Sequence, residues 1–291
     1  MTISKKILNA IVRVYLSRFP VTEGKKHVFR WVKDRILPDE PVATFRTKHG
    51  FELRVNLRNA EHQRMYFYGE HDERYEVNNL KRIVRAGDTC WDIGANIGFY
   101  TCLFASLAGR SGRVVAFEPA SVTASYLRKN LELNRFTADQ VTVINKAVGD
   151  GVYQKQLFFN VADMAEGTAS LKSTQGGATE LVQIDTLDNL YPTLPLPDLI
   201  KIDVEGYQFE VLAGGKKFFS THHPMIMAEL RDNDPDTVRR TQDYLRELGY
   251  SFYEFNKHSL KTCTDITKSK KRNFFLAKRE CPYFSRLVIS D

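Results

Sequence analysis

The stretch TCWDIGANIGFYTCLFASLAG, Thr89 to Gly109, decides the fold, and RVVAFEP, Arg113 to Pro119, completes its unit. A β-branched and apolar run ends in Asp92. Gly94, Ala95, Asn96 and Gly98 then make a tight turn, and an apolar helical pattern follows without a break. Strand, glycine turn and helix are the result. A backbone without Cβ takes positive φ freely and lets a ligand sit against a helix N-terminus. Glu118 ends the next apolar strand, 20 residues beyond Gly98, where a carboxylate can accept both hydroxyls of a ribose. The unit reads as a nucleoside-binding βαβ element.

Two cofactor classes use such an element. A dinucleotide site wants G-x-G-x-x-G, but here Asn96 replaces the middle glycine and Phe99 stands where the third would be. The diphosphate cradle is incomplete. Asp92 would repel a diphosphate and suits the cationic amino acid end of S-adenosylmethionine (SAM). NAD(P), or a structural turn without ligand, are the alternatives.

The chain resembles the FkbM-type methyltransferases, a branch of the class I SAM-dependent enzymes. The resemblance rests on DIGANIGFYT (Asp92–Thr101), FEP (Phe117–Pro119), VINKAVGD (Val143–Asp150), QIDTLDNL (Gln183–Leu190) and DLIKIDVEGYQFEVLAGG (Asp198–Gly215), in that order. It covers about Ala86 to Leu230, with weaker support from YGEHDERYE just before. One departure is visible. Many members read E-G-A-E after K-I-D-V, whereas this chain has Glu205, Gly206, Tyr207 and Gln208.

Around this core the alternation of strands and helices predicts an α/β fold. It is a Rossmann-like, mostly parallel sheet with helices on both faces. The resemblance implies a class I methyltransferase sheet of seven strands, closed by an antiparallel pair at Ser251–Asn256 and Asn273–Lys278. Residues 1–40 read as a basic amphipathic helical extension. Residues 41–85 read as a β-hairpin around His49-Gly50 with a helix, about Asp72 to Val84, packed beside the main sheet. Residues 86–291 read as the SAM-binding methyltransferase domain. Strands at Tyr153–Phe159 and Glu180–Asp185 flank a loop, Asp163–Gly177, and Lys268–Asn273 reads as a solvated loop.

The 291 residues carry a net charge of +7. Residues 1–35 hold nine Lys and Arg against Glu23 and Asp34, so the whole excess lies there and the remainder is neutral. Nucleic acid is therefore not an expected partner, and the N-P-P-Y type motif of amino-group methylation is absent. Ile3, Ile7, Ile11, Val14 and Tyr15 recur at helical spacing, widened by Leu8, Val12 and Phe19. Such a helix either docks on its own domain or a second subunit, or makes peripheral contact with an anionic membrane. Cys90, Cys102, Cys263 and Cys281 form no C-x-x-C pair, which fits reduced thiols and a cytoplasmic protein, either free or peripheral to the inner face of a membrane.

Ligands of open α/β sheets bind beyond the carboxyl ends of the strands. That rule selects Asp92, Glu118, Asn145, Asp203 and Glu229. Asp92, Gly94, Ala95, Asn96 and Gly98 are assigned to the methionine and sugar of SAM, and Glu118 to the ribose. Asn145 to Ala147 are assigned to the adenine edge. Asp203, Glu205 and Glu229 are the candidates for taking a proton from a hydroxyl acceptor. The same three could instead hold Mg²⁺ or Ca²⁺. His222 and His223 begin a strand at the opposite edge and read as loop residues. Lys201 sits inside an apolar strand, and Tyr66, Tyr68 and Tyr75 either stack on a sugar or simply pack. The expected function is O-methylation of a sugar, glycan or related natural product. The rivals are a nucleic acid or other small-molecule methyltransferase and a noncatalytic scaffold.

Overall fold

The computed structural model describes residues 3–19, 24–33, 35–38, 40–159, 169–171, 178–231 and 234–290. The N-terminal part runs α1 (Ile3–Arg18), α2 (Lys25–Val32), β1 (Val42–Arg46), β2 (Glu52–Asn56), α3 (Ala60–Tyr68) and α4 (Arg74–Ile83). The core then alternates: β3 (Thr89–Ile93), α5 (Phe99–Ala108), β4 (Arg113–Phe117), α6 (Ser121–Leu133) and β5 (Val141–Ile144). Short strands β6 (Ala147–Val148), β7 (Tyr153–Phe159), β8 (Ala169–Ser170) and β9 (Ala178–Asp185) follow. The chain returns through α7 (Leu187–Leu190), β10 (Leu199–Ile202), α8 (Gln208–Ala213), α9 (Lys216–Thr221), β11 (Met225–Glu229) and α10 (Pro235–Glu247). It closes with β12 (Ser251–Phe255), β13 (Leu260–Cys263), β14 (Asn273–Ala277) and β15 (Ile289–Ser290).

The main sheet has the order β15-β13-β12-β14-β11-β10-β3-β4-β5. Strands β11 to β5 are parallel, and β14 and β12 pair antiparallel at their side. This is the Rossmann-like methyltransferase arrangement, enlarged from the seven strands expected to nine. The additions, β13 and β15, lie at one edge. Only Leu260 of β13 is buried, and Lys261 and Thr262 face solvent, so the segment carries little strand signal in sequence. From β3 the chain builds outward to β5, then returns to β10 on the other side. The strand order therefore reverses between β3 and β10, where open sheets place ligands.

Both faces of the sheet are covered, which is why its strands are almost continuously apolar. On β3 and β4, Cys90, Val114 and Ala116 pack into one core layer with α5, while Trp91, Ile93, Val115 and Phe117 pack into the other. Trp91 stacks on Phe218 at 5.5 Å and donates its Nε1–H to the Pro195 carbonyl at 3.0 Å. Emptying such a site, as in Phe218→Ala, costs about 3–5 kcal/mol.

The hairpin β1–β2 forms its own two-stranded sheet and docks on α6 rather than on the main sheet's edge. Asn130 and Asn134 act as a substitute ladder for it. Asn130 Oδ1 accepts from Arg54 N at 2.6 Å, Asn134 Oδ1 from Glu52 N at 2.7 Å, and each amide donates to the same residue's carbonyl. The extension is also docked. Val12, Leu16, Val32 and Ile36 are buried in the first core layer. Asn9 donates to the Ile36 carbonyl and accepts from the Tyr66 hydroxyl, so part of the expected apolar stripe faces inward. The expected loop Asp163–Gly177 lies outside the described residues except for 169–171.

Candidate active site

A cleft of about 830 Å³ opens at the carboxyl ends of β3, β4, β10 and β11. One half is floored by Ile93, Phe117, Val148, Leu157 and Leu171, with Gly94, Ala95, Asn96, Glu118 and Ala147 along it. The turn is built as its glycines require. Gly94 has φ 81°, Asn96 φ 51° and Gly98 φ 92°. What excludes a side chain, however, is the protein itself. A Cβ on Gly94 would stand 1.9 Å from the Asp203 carbonyl oxygen, and one on Gly98 would stand 2.3 Å from Leu127 Cδ1. The nucleoside-side turn is thus locked to the end of β10, and Asp203 N also donates to the Ile93 carbonyl at 3.0 Å.

Glu118 is buried. Its Oε2 accepts from Asn96 N at 2.8 Å and its Oε1 from Ala120 N at 3.0 Å. Burial pushes this carboxyl up to about 7, against the two N–H bonds that favour its charged form. Each oxygen keeps a further lone pair, so the residue fits a ribose with two hydroxyls to donate. With the apolar floor beside it, this half of the cleft fits the adenosine part of SAM.

Three residues assigned to the cofactor from sequence do not line the cleft. Asp92 is fully buried. Its Oδ2 accepts from Thr101 Oγ1 at 2.6 Å, and its Oδ1 lies 3.6 Å from Lys201 Nζ. The lysine occupies the place assigned to the cationic end of SAM. Gly98 is filled by Leu127. Asn145 donates through Nδ2 to the carbonyls of Glu118 and Pro119, at 2.7 and 2.9 Å, and so braces the glutamate's backbone.

The other half of the cleft is polar and carries both signs of charge. Parallel register sets Ile202 beside Ala228, so Asp203 and Glu229 leave neighbouring strands side by side. Asp203 Oδ2 is 3.2 Å from Lys201 Nζ, and Glu229 Oε1 accepts from Arg272 Nε at 2.7 Å. Burial and the charge of Asp203 lift Glu229 to about 7 although Arg272 opposes them. Glu205 is raised by burial and by Asp203, and it sits in the left-handed region at φ 46°, uncommon for a residue with a Cβ. All three carboxylates line the cleft. Among the described residues they do not gather into a metal-binding group. The physical reason is that Lys201 and Arg272 already hold two of them, so the donor set does not fit Mg²⁺ or Ca²⁺.

Several lining residues were not anticipated from sequence. His71 Nε2 is 2.7 Å from Glu61 Oε1, and its Nδ1 is 3.4 Å from Glu73 Oε2. Tyr100 donates its hydroxyl to Glu73. Burial disfavours the imidazolium, but the Glu61 bond and the charges of Glu73 and Glu61 outweigh it and hold His71 at about 9. The stretch presumed a solvated loop brings Lys270, Lys271, Arg272 and Asn273 to the rim. Its run of cations was the available signal, as YGEHDERYE was for His71 and Glu73. Of the tyrosines, Tyr66 and Tyr68 are packed in the core, and none of the three lines the cleft. His222 packs on Tyr191 and Phe218, away from it.

Residues 92–252 match the methyltransferase FkbM domain. Over 198 residues, 66% of this chain and 71% of the relative, the sequence is 31% identical to the hexuronic acid methyltransferase AglP of Haloferax volcanii. Among solved structures, methyltransferase FkbM from Methylobacillus flagellatus is 15% identical with a TM-score of 0.47, and the match covers 91% of this chain and 62% of that one. A SAM-dependent O-methyltransferase from Thermotoga maritima is 16% identical with a TM-score of 0.42, over 87% of this chain and 81% of that one. The extent of the domain match, together with the identity to the Haloferax volcanii enzyme, shows that this chain belongs to the FkbM methyltransferase family.

Proposed function

We propose that the protein transfers a methyl group from SAM to a hydroxyl of a sugar, free or within a glycan. The observation that carries this reading is one cleft joining two unlike halves. One is an apolar floor with Glu118, suited to adenosine. The other is a polar wall with Glu229 beside Asp203, suited to a polyhydroxylated acceptor. The likeness to a hexuronic acid methyltransferase supports a sugar. The rim cations Lys270 and Lys271 would partner a sugar carboxylate.

SAM supplies a methyl group already activated on a positive sulfur. What remains for the chain is to position the acceptor and to take its proton. Glu118 receives the ribose hydroxyls, and Gly94 to Asn96 shape the turn beneath the cofactor. Glu229 takes the proton from the attacking hydroxyl. A carboxylate whose affinity for protons lies near neutrality is ionised often enough to act and basic enough to accept. Asp203, fixed by Lys201, and Glu205 hold the neighbouring hydroxyls. The engagement of these carboxylates by Lys201 and Arg272 supports base catalysis without a metal.

The test is methylation from isotopically labelled SAM with a panel of neutral hexoses, hexuronic acids and oligosaccharides containing them. Incorporation into a sugar hydroxyl supports the reading, with hexuronates preferred. Binding of SAM with no sugar methylated, but a hydroxylated non-sugar metabolite accepted, would replace the acceptor class.

A further inference from the structure

We propose that the outer faces of α1 and α2 dock this protein onto an anionic lipid bilayer. Helix α1 is apolar on two sides. Asn9, Val12 and Leu16 face the domain, while Ile7, Ile11 and Val14, at spacings of four and three, face solvent. Lys25 ties α2 to the end of α1, its Nζ donating to the carbonyls of Leu16 and Phe19 at 2.8 and 2.6 Å. Across the two helices and the residue after α1, Ile7, Ile11, Val14, Phe19 and Trp31 are each between 53% and 61% exposed. Isolated exposed hydrophobes are ordinary, but a helical row of them, followed by an exposed tryptophan on the next helix, marks an interaction surface.

Charge identifies the occupant. Arg13 and Lys25 are spent inside the protein, Arg13 on the Tyr66 carbonyl and ring. Lys5, Lys6, Arg18, Lys26 and Arg30 are exposed on the same two helices, and Arg35 is exposed just beyond α2. A second copy would bring two strongly basic surfaces together, which repel. A nucleic acid would meet the cations but leave the apolar row in water. An anionic bilayer satisfies both, taking the apolar side chains at the headgroup boundary and attracting each cation. Tryptophan suits that boundary because its ring is apolar and its N–H stays wet.

The experiment is sedimentation of the full chain with vesicles of phosphatidylcholine alone and of phosphatidylcholine mixed with phosphatidylglycerol, at low and high salt. Two variants accompany it. One carries Ile7→Ser, Ile11→Ser, Val14→Ser and Trp31→Ser, and the other Lys5→Gln, Lys6→Gln, Arg18→Gln, Lys26→Gln and Arg30→Gln. All substituted positions are exposed, and thermal unfolding of each variant checks that the fold is intact. Binding to the anionic vesicles is expected at low salt, weakened about tenfold or more by high salt and by either variant. Failure to bind anionic vesicles, or equal binding to both vesicle types, would overturn the proposal. So would a dimer in light scattering that the serine variant dissociates, since the second copy would then be the occupant.

Discussion

Lys201 and Asp92 are register partners on adjacent parallel strands, and they form a buried ion pair, Nζ to Oδ1, at 3.6 Å. The lysine reaches Asp203 as well, at 3.2 Å, because residues two apart on a strand share a face. It lies over the ring of Tyr100, 4.9 Å from the centroid. One cation therefore connects the strand that carries the nucleoside-side turn to the carboxylate at the acceptor side.

Removing that cation should be costly. Lys201→Met leaves Asp92 buried without its charge partner, and breaking a buried pair from one side typically costs about 3–5 kcal/mol. Urea unfolding of Lys201→Met should show that loss, and the double variant Lys201→Met, Asp92→Asn should recover part of it. A loss below about 1 kcal/mol in the single variant would mean the pair does not hold the strands.

Glu229 should set the acidic limb of the pH profile. Its carboxyl is raised to about 7, so kcat/KM should fall as pH drops through neutrality and the base gains its proton. Arg272 favours the charged form, so Arg272→Gln should move that limb to higher pH. Glu229→Gln should lower turnover ~10²–10⁴-fold. A limb that persisted unchanged in Glu229→Gln would belong to another group.

The β3–α5–β4 unit was legible because its signals are local: strand, turn and helix follow one another within Thr89–Phe117, and β3 and β4 begin and end where the pattern places them. Glu118, Asp203 and Glu229 were equally legible, since position at a strand end follows from the strand. Pairings across the fold were not. That Asp92 faces a lysine follows from the register of β3 and β10, more than 100 residues apart in sequence. That Gly98 answers to Leu127 depends on how α6 crosses the turn. The Glu61–His71–Glu73 cluster was hidden for a similar reason. It comes from α3 and the segment before α4, where charge looks like an ordinary solvated surface until the tertiary fold buries it.

Glu118 and Asp92 should separate in their effects. Glu118→Ala removes the acceptor lining the cleft and should weaken SAM binding by ~1–3 kcal/mol in calorimetry. Asp92→Asn, whose side chain does not reach the cleft, should instead lower stability. Equal loss of SAM affinity in both, with stability intact, would return Asp92 to the cofactor site.

Asp203→Asn should depress turnover while SAM affinity stays within a few fold, because the residue stands on the acceptor side. Treatment with a chelator should leave the wild-type rate unchanged, since Lys201 and Arg272 already neutralise the carboxylates a metal would need. A lost rate that Mg²⁺ or Ca²⁺ restored would show that these contacts open in the working enzyme.

His71 should make stability fall on the alkaline side. An imidazole in the unfolded chain titrates near 6.5, and in the fold Glu61 and Glu73 hold it at about 9. Its protonated form is therefore favoured by folding. The contribution is fully present below pH 6.5, where both states carry the proton, and is lost as pH rises to about 9. The shift corresponds to something on the order of 3 kcal/mol. Glu118 and Glu229 are also raised, but both complete their titration near neutrality, and they are common to the wild type and a His71→Gln variant. Subtracting the two unfolding free energies, measured from about pH 6 to about pH 10, isolates the imidazole. The wild type should be the more stable at the acid end, and its advantage should shrink as pH rises. A difference that stayed constant with pH would show that His71 is neutral in the fold and that Glu61 and Glu73 do not act on it as charges.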